Sequence, residues 1–209
     1  MKKTVVLVVL FVLPLVVYMF FASGVTNFGR LPVLTEQVSE LDAFRGDARL
    51  EGKITILGFP GRDNPSGKSN AFNLNQKIYK PFYEFTDFQV IMVLPEGQEE
   101  FVADLKKELG TLVDIGQWEF VYGTPEDIEK FFQSLQTDLQ LDASGASSYV
   151  FIVDKERKLR GRKTDDDVGT KYGFNTSSVA DLNNKMKDDV KIILAEYRLA
   201  LKKNQAGRK

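Results

Sequence analysis

Lys53–Phe59 (KITILGF) reads as a buried strand, and the residues behind it, Pro60–Asn70 (PGRDNPSGKSN), read as a Gly/Pro/Asn/Ser loop. A helical stretch, Ala71–Phe85, comes next, with Phe72, Ile78, Tyr79, Phe82 and Phe85 close to helical spacing. Pro81 removes one backbone donor and predicts a kink or a restart there. In such strand–loop–helix units the loop lies at the carboxyl end of the strand, over a helix N-terminus, where α/β proteins usually place their chemistry. Yet the chain has no cysteine and no histidine. Thiol exchange and soft-metal binding therefore lack their usual reagents.

Downstream, Gln89–Leu94 (QVIMVL) is a continuous apolar run, as in parallel strands covered on both faces. Glu96–Leu109 follows as a helix with Phe101, Leu105 and Leu109 on one face. Trp118–Tyr122 reads as a short strand. Thr124-Pro125-Glu126-Asp127 marks a helix start, with a Thr cap, Pro in the first position and acids in the first turn, and this helix runs to about Leu135. Asp138–Ser148 is a polar loop. Tyr149–Val153 and Lys158–Arg162 read as an antiparallel hairpin. A last amphipathic helix starts at the Ser177/Ser178 cap, with Asp181 completing a capping box. Upstream, Leu31-Pro32-Val33-Leu34 could add an edge strand. The order is β-α-β-α-β-α-β-β-α: parallel crossovers first, an antiparallel hairpin and terminal helix last. That is the order of an α/β thioredoxin-like fold, a central mixed sheet flanked by helices, with one inserted strand–helix unit.

At the N-terminus, Thr4–Ala22 is 19 uncharged residues interrupted only by Pro14. As a helix it would rise about 28 Å, enough to cross a hydrocarbon core of about 30 Å. A cleaved signal peptide fits less well: its apolar region runs about 7–15 residues, and Ala22-Ser23-Gly24 is a poor cleavage site. No cysteine follows, which excludes lipoprotein processing. Lys2 and Lys3 predict a cytoplasmic N-terminus and a single-pass protein whose domain is periplasmic or extracellular. The expected organisation is an anchor over 1–24, a linker and lead-in strand over 25–48, the thioredoxin-like domain over 49–203 and a basic tail over 204–209. The 209 residues carry 28 basic and 29 acidic side chains, a net charge of −1, which gives no support for nucleic-acid binding.

Leu31-Pro32 with Leu34-Thr35, Gly52-Lys53 before Ile54–Phe59, Tyr149–Asp154 and Lys158-Leu159-Arg160-Gly161, together with the anchor, resemble the Sco/SenC family of thioredoxin-like proteins. The resemblance spans about Leu31 to Ala200 and implies a role in copper insertion into cytochrome c oxidase. The family's two cysteines, four positions apart, would fall near Arg62 and Ser66, and its copper-binding histidine near Gly145–Ser147. All three places hold non-ligands here. The thioredoxin relatives' cis-proline before the late strand is also missing from Ser147-Ser148-Tyr149.

Other constellations meet plainer readings. Gly61–Ser69 invites a phosphate-loop reading with Lys68 on phosphates and Ser69 on magnesium. Its glycines, Gly61 and Gly67, are five residues apart rather than four, and Arg62 stands where a glycine is needed. Asp165-Asp166-Asp167 reads as a solvated loop rather than a hard-cation site. Arg160, Arg162 and Lys163 read as surface ion pairs. Phe131 and Phe132 are adjacent, so they are not expected both to face inward equally, and one of them could form part of an exposed contact patch. Met92 and Met186, the only methionines outside the anchor, both fall at core positions. The candidate degenerate-site residues are Arg62, Asp63, Asn64, Ser66, Lys68 and Gly145, with no catalytic residue, metal ligand or cofactor assigned. The expected function is a non-catalytic interaction module docking on another membrane or extracytoplasmic protein, a respiratory assembly factor or an oxidase subunit. The alternatives are an anion- or phosphate-binding enzyme using the Arg62–Lys68 loop, and a structural domain unrelated to respiration.

Overall fold

A computed structural model describes residues 2–22 and 29–206. The elements in chain order are α1 (Lys2–Ala22), β1 (Val33–Thr35), β2 (Ile54–Gly58), α2 (Pro65–Leu74), α3 (Lys80–Phe82), β3 (Phe88–Pro95), α4 (Glu99–Gly110), β4 (Trp118–Gly123), α5 (Pro125–Gln133), β5 (Tyr149–Val153), β6 (Leu159–Arg160), β7 (Arg162–Asp165), β8 (Gly169–Lys171), β9 (Phe174–Asn175), α6 (Val179–Asp181) and α7 (Lys187–Ala206). The main sheet has the order β1-β6-β5-β2-β3-β4, with β9 added to β5. β2, β3 and β4 are parallel, whereas β5 runs antiparallel to β2 and β6. The parallel crossovers and the late antiparallel hairpin thus stand as the sequence predicts.

Why the central strands are mostly apolar follows from what covers them. Ile54, Ile56, Val90, Met92, Val150 and Ile152 face one core, filled from α2, α4 and α7. Leu57, Phe59, Ile91, Val93, Phe151 and Val153 face a second core on the other side. With period-two alternation and both faces dry, a polar residue must find its partner inside, as Gln89 does by donating to the Thr55 hydroxyl at 2.8 Å and the Arg49 carbonyl at 2.7 Å. All eight residues of β3 are buried.

The second core corrects one expectation. Phe131 and Phe132 are both buried. Helix α5 lies in a trough between the sheet and the lead-in segment carrying Val38, Leu41 and Phe44, so two adjacent side chains find separate walls. Phe131 meets Phe44 edge-on at 5.3 Å, and Phe132 meets Phe59 edge-on at 5.1 Å.

The helix after β2 starts earlier than its apolar spacing suggests. Asn64 caps it, accepting from the Ser66 N–H, and Pro65 occupies the first turn. A π-turn over Asn75–Tyr79 then re-phases the helix before Lys80–Phe82, so the irregularity falls one turn ahead of Pro81 rather than at it. A second π-turn, Leu182–Met186, lies between α6 and α7. Ser178 caps α6 by accepting from the Asp181 N–H. The Asp181 carboxylate, however, turns to the Asn175 N–H and Lys171, so the capping box is only half made.

Three further expectations are corrected around β7 and β8, a two-stranded hairpin the sequence did not predict. Arg160 is no surface residue: with a side chain 5% exposed it bonds Asp154 at 2.8 Å and Glu196 at 2.7 Å. Arg162 forks onto Asp189 of α7 through Nε and Nη2 at 2.8 and 2.9 Å. Within the acidic run, Asp165 is buried and accepts from Lys185 through both carboxylate oxygens, at 2.7 and 2.9 Å, while Asp167 accepts from the same ammonium at 2.6 Å. The terminal helix is therefore held to the hairpin by charges, and to the main sheet by Val190, Ile193 and Leu194. These pairs span up to 36 residues of sequence, beyond any local pattern.

Helix α1 covers the stretch expected to be the anchor. Among the described residues no helix is long and apolar enough to cross a membrane. Much of the anchor expectation falls on side chains outside the described set, and the 23–28 part of the linker lies outside it altogether. At the other end α7 continues as helix to Ala206, past the expected start of the tail at 204.

Candidate functional site

Strand β2 ends at Gly58, where a side chain would meet the Met92 sulfur at 2.7 Å. Phe59 then carries the chain into the loop. Gly61 (φ +76°) and Asp63 (φ +49°) both adopt left-handed backbone, which folds the loop back on itself. At Gly61 the requirement is doubled, because a Cβ would strike Ala146. The loop is thereby pressed against a second one, 142–147.

Three backbone contacts join the two loops. The Arg62 N–H donates to the Ser144 carbonyl at 2.9 Å, and the Ser147 N–H donates to the Phe59 carbonyl at 2.8 Å. Pro60 and Ala146 form an antiparallel bridge. The second loop is in turn wound around Asp142. Its Oδ1 accepts from the Ser144 N–H (2.8 Å), the Ser144 hydroxyl (2.6 Å) and the Ala146 N–H (3.0 Å). Those donors, the Ser144 hydroxyl first, hold the Asp142 carboxyl below its ordinary pKa. Gly145, at φ +76°, supplies the left-handed residue this turn needs.

The predicted residues divide between the parts of this site. Arg62 and Gly145 share a cleft of about 280 Å³ with Pro95, Ile128, Glu129 and Asp142. The Arg62 guanidinium reaches across to the Glu96 carbonyl at 2.9 Å. Asn64 is structural: besides capping α2 it donates its side-chain amide to the Pro60 carbonyl at 3.1 Å. Ser66 is exposed in the first turn of α2, with its N–H on Asn64. Asp63 is exposed. Lys68 points away to α4, paired with Glu108. Sequence reading missed Glu96, Asp142 and Ser144. Asp142-Ala143-Ser144-Gly145 carries a legible Asx-turn signal, whereas Glu96 contributes a backbone carbonyl and has no signal in its side chain.

The cysteine and histidine positions implied by the family resemblance are brought together, since the Arg62–Ser66 segment adjoins Gly145–Ser147. The donors there are a guanidinium, hydroxyls and peptide groups, which do not fit a copper ion that selects thiolate, thioether or imidazole. The thioether of Met92 lies beneath Gly58 in the core, 4% exposed. Neither Arg nor Ser supplies a thiolate for disulfide exchange.

No family model and no curated protein sequence matches this chain. Among solved structures it is similar to BsSco, a member of the Sco family of cytochrome c oxidase assembly proteins. The likeness has 14% identity and a TM-score of 0.53, covering 78% of this chain and 97% of that one. It is also similar to a SCO1/SenC family lipoprotein from Bacillus anthracis str. Ames, with 16% identity and a TM-score of 0.54, covering 78% of this chain and 99% of that one. At these identities the likeness establishes a thioredoxin-like α/β fold.

Proposed function

We propose that this chain is a thioredoxin-fold interaction module, anchored by Thr4–Ala22 with its domain on the extracytoplasmic side, that has exchanged redox and copper chemistry for docking onto a partner protein. The partner class is a respiratory oxidase assembly factor or an oxidase subunit, which the likeness to two Sco structures supports. The observation that carries the reading is the state of the two loops. They keep the juxtaposition a reactive site would need, closed by three backbone contacts, while every side chain at the reactive positions is chemically inert. A preformed, rigid surface of this kind suits protein recognition, because little ordering entropy is lost on docking.

The anchor reading rests on the sequence of α1 and on the Lys2/Lys3 bias. The enzyme alternative, with an anion between Arg62 and Lys68, is favoured less. The two cations diverge, one onto the Glu96 carbonyl and the other onto Glu108.

A photo-crosslinking residue placed at Glu129, on the rim of the cleft, tests the docking in cells. The expected product is an adduct with an oxidase assembly factor or oxidase subunit, absent when the same residue stands at exposed Glu51, before the amino end of β2. Adducts with neither class, or equal adducts from both positions, would overturn the proposal and leave the structural alternative.

A further inference from the structure

The loops around the cleft carry a charge that the chain as a whole lacks. Strands β2, β3 and β4 are parallel and β5 runs against them. Segments 60–66, 96–100 and 124–129, which follow the first three, therefore gather at one end of the sheet with segment 142–147, which precedes the fourth. Together they hold eight acids and one base, Arg62.

Some of these acids have a local reason. Glu99, Glu100, Glu126 and Asp127 stand in the first turns of α4 and α5, where the helix dipole favours a carboxylate. Asp142 closes its own turn. Asp63 and Glu96 have no such role, and Glu129 accepts only from the neutral Gln133 amide, at 3.1 Å. Cations do little to cancel them. Arg45 pairs with Glu99, and no other acid of the four segments pairs with a cation among the described residues. Arg62 spends its guanidinium on the Glu96 carbonyl. Even with Arg45 and Lys130 counted, bases reach three against eight acids. The field at this end is negative, although the whole chain is at −1.

Apolar surface lies inside that field. The cleft of about 280 Å³ is lined by Pro95, Pro125, Ile128, Leu141 and Ala143. Its volume falls at the lower limit of small-molecule sites, about 300 Å³, and suits a single inserted side chain. Glu96 and Glu126 directly follow Pro95 and Pro125 in sequence, and Glu129 lines the cleft itself. We propose that the cleft receives one aliphatic side chain from a Lys- or Arg-rich segment of the partner protein, with the partner's cations meeting Glu96, Glu126 and Glu129. The inference rests on the docking reading above and adds the chemistry of the docked segment. The same field opposes an anion beside Arg62.

The full chain in an uncharged detergent is panned against a random seven-residue peptide library. Expected are sequences with one Leu, Ile or Val among Lys and Arg. Their binding should weaken about tenfold when the aliphatic residue becomes Ser, when salt is raised to molar strength, and in the Glu96→Gln/Glu126→Gln/Glu129→Gln variant, its folding checked by circular dichroism. The bound peptide should also shift the amide resonances of Leu141 and Gly145. No enrichment, enrichment of acidic or uncharged sequences, or basic peptides that bind the neutralised variant equally well overturns the inference. The cellular crosslink from Glu129 reads the partner's identity separately. Basic peptides that bind while no oxidase component crosslinks remove the oxidase reading and leave the basic segment. An oxidase adduct with failed panning removes the basic segment alone.

Discussion

The N–H of Arg62 donates to the carbonyl of Ser144 at 2.9 Å, tying together loops that lie 82 residues apart. Because the bond is made by backbone, it survives the replacement of every side chain in the site. It also needs a left-handed turn just before it, at Gly61, where a side chain would collide with Ala146. The junction of the two loops therefore rests on backbone geometry and on the absence of a side chain at Gly61.

Gly61→Ala should expose that dependence. Left-handed backbone at a non-glycine costs of order 1–3 kcal/mol, and here the collision with Ala146 adds to it. Urea unfolding of the Val25–Lys209 domain is expected to show about 2 kcal/mol lower stability or more. Amide exchange should rise at Arg62 and Ser147 together, since their bonds close the same junction. A variant as stable as the parent, with both amides still protected, would show that the two loops are not coupled.

The Asp142 turn predicts a pH effect with a definite sign. Its folded pKa is depressed, first by the Ser144 hydroxyl and then by the Ala146 N–H. The contribution is therefore fully present above the unfolded value, about 3.9, and is lost as pH falls through the lower folded value. The Ser144 and Ala146 amide resonances should titrate together with a midpoint below that of a model aspartate. Asp142→Ala should abolish the titration and loosen the second loop at neutral pH. A midpoint at or above the ordinary value would mean that the three contacts do not favour the carboxylate.

How much of this was legible beforehand follows from the range of each interaction. The central strands, the Thr124 cap and the terminal amphipathic helix rest on local periodicity and capping, and they appear as the sequence predicts. The edge strand β1 was legible as well. Local charge patterns gave the wrong surroundings for Arg160, Arg162 and Asp165, because their partners Glu196, Asp189 and Lys185 come from a helix assembled later in the chain. Phe131 and Phe132 misled for a related reason. Helical spacing describes one face, but α5 is walled on two sides by Phe44 and Phe59. In the site, the loop position was readable, whereas the left-handed backbone at Gly61 and Gly145 depends on how the two loops meet, and the Glu96 carbonyl on where β3 ends.

Breaking the buried Arg160 pair provides a third test. Burial opposes the guanidinium charge, but Asp154 and Glu196 more than offset it and hold its pKa above the ordinary value. Asp154→Asn keeps the side-chain oxygen that accepts from the Glu156 and Lys158 amides, and removes the charge facing Arg160. Removing one partner of a buried pair costs about 3–5 kcal/mol, and the remaining Glu196 places the expectation near 3. Arg160→Leu should cost more than Asp154→Asn, because it leaves the carboxylates of both Asp154 and Glu196 without their cation and the Leu31 carbonyl without its donor, whereas Asp154→Asn leaves Arg160 paired with Glu196. If Asp154→Asn is the less stable variant, the Asp154 carboxylate contributes beyond neutralising Arg160.

The last prediction decides between docking and small-ligand chemistry. The Lys68–Glu108 pair is 40% and 45% exposed, and Arg62 is exposed as well. Arg62→Ala and Lys68→Ala should each cost under about 0.5 kcal/mol, as is usual for surface changes. An anion site would show itself differently. Phosphate, sulfate or a nucleotide at a hundredfold excess over its dissociation constant would stabilise the domain by about 2.7 kcal/mol, and both substitutions would abolish that gain. Cu(I) offered against a weak thiol-free chelator gives the parallel measurement for a metal, with Met92 and Met186 as the only thioethers outside the 1–24 segment. Neither anion nor Cu(I) is expected to shift the thermal midpoint specifically. A reproducible rise with an anion, absent from both variants, would move the site to the enzyme reading. Stoichiometric submicromolar Cu(I) binding would instead require the core around Met92 to open.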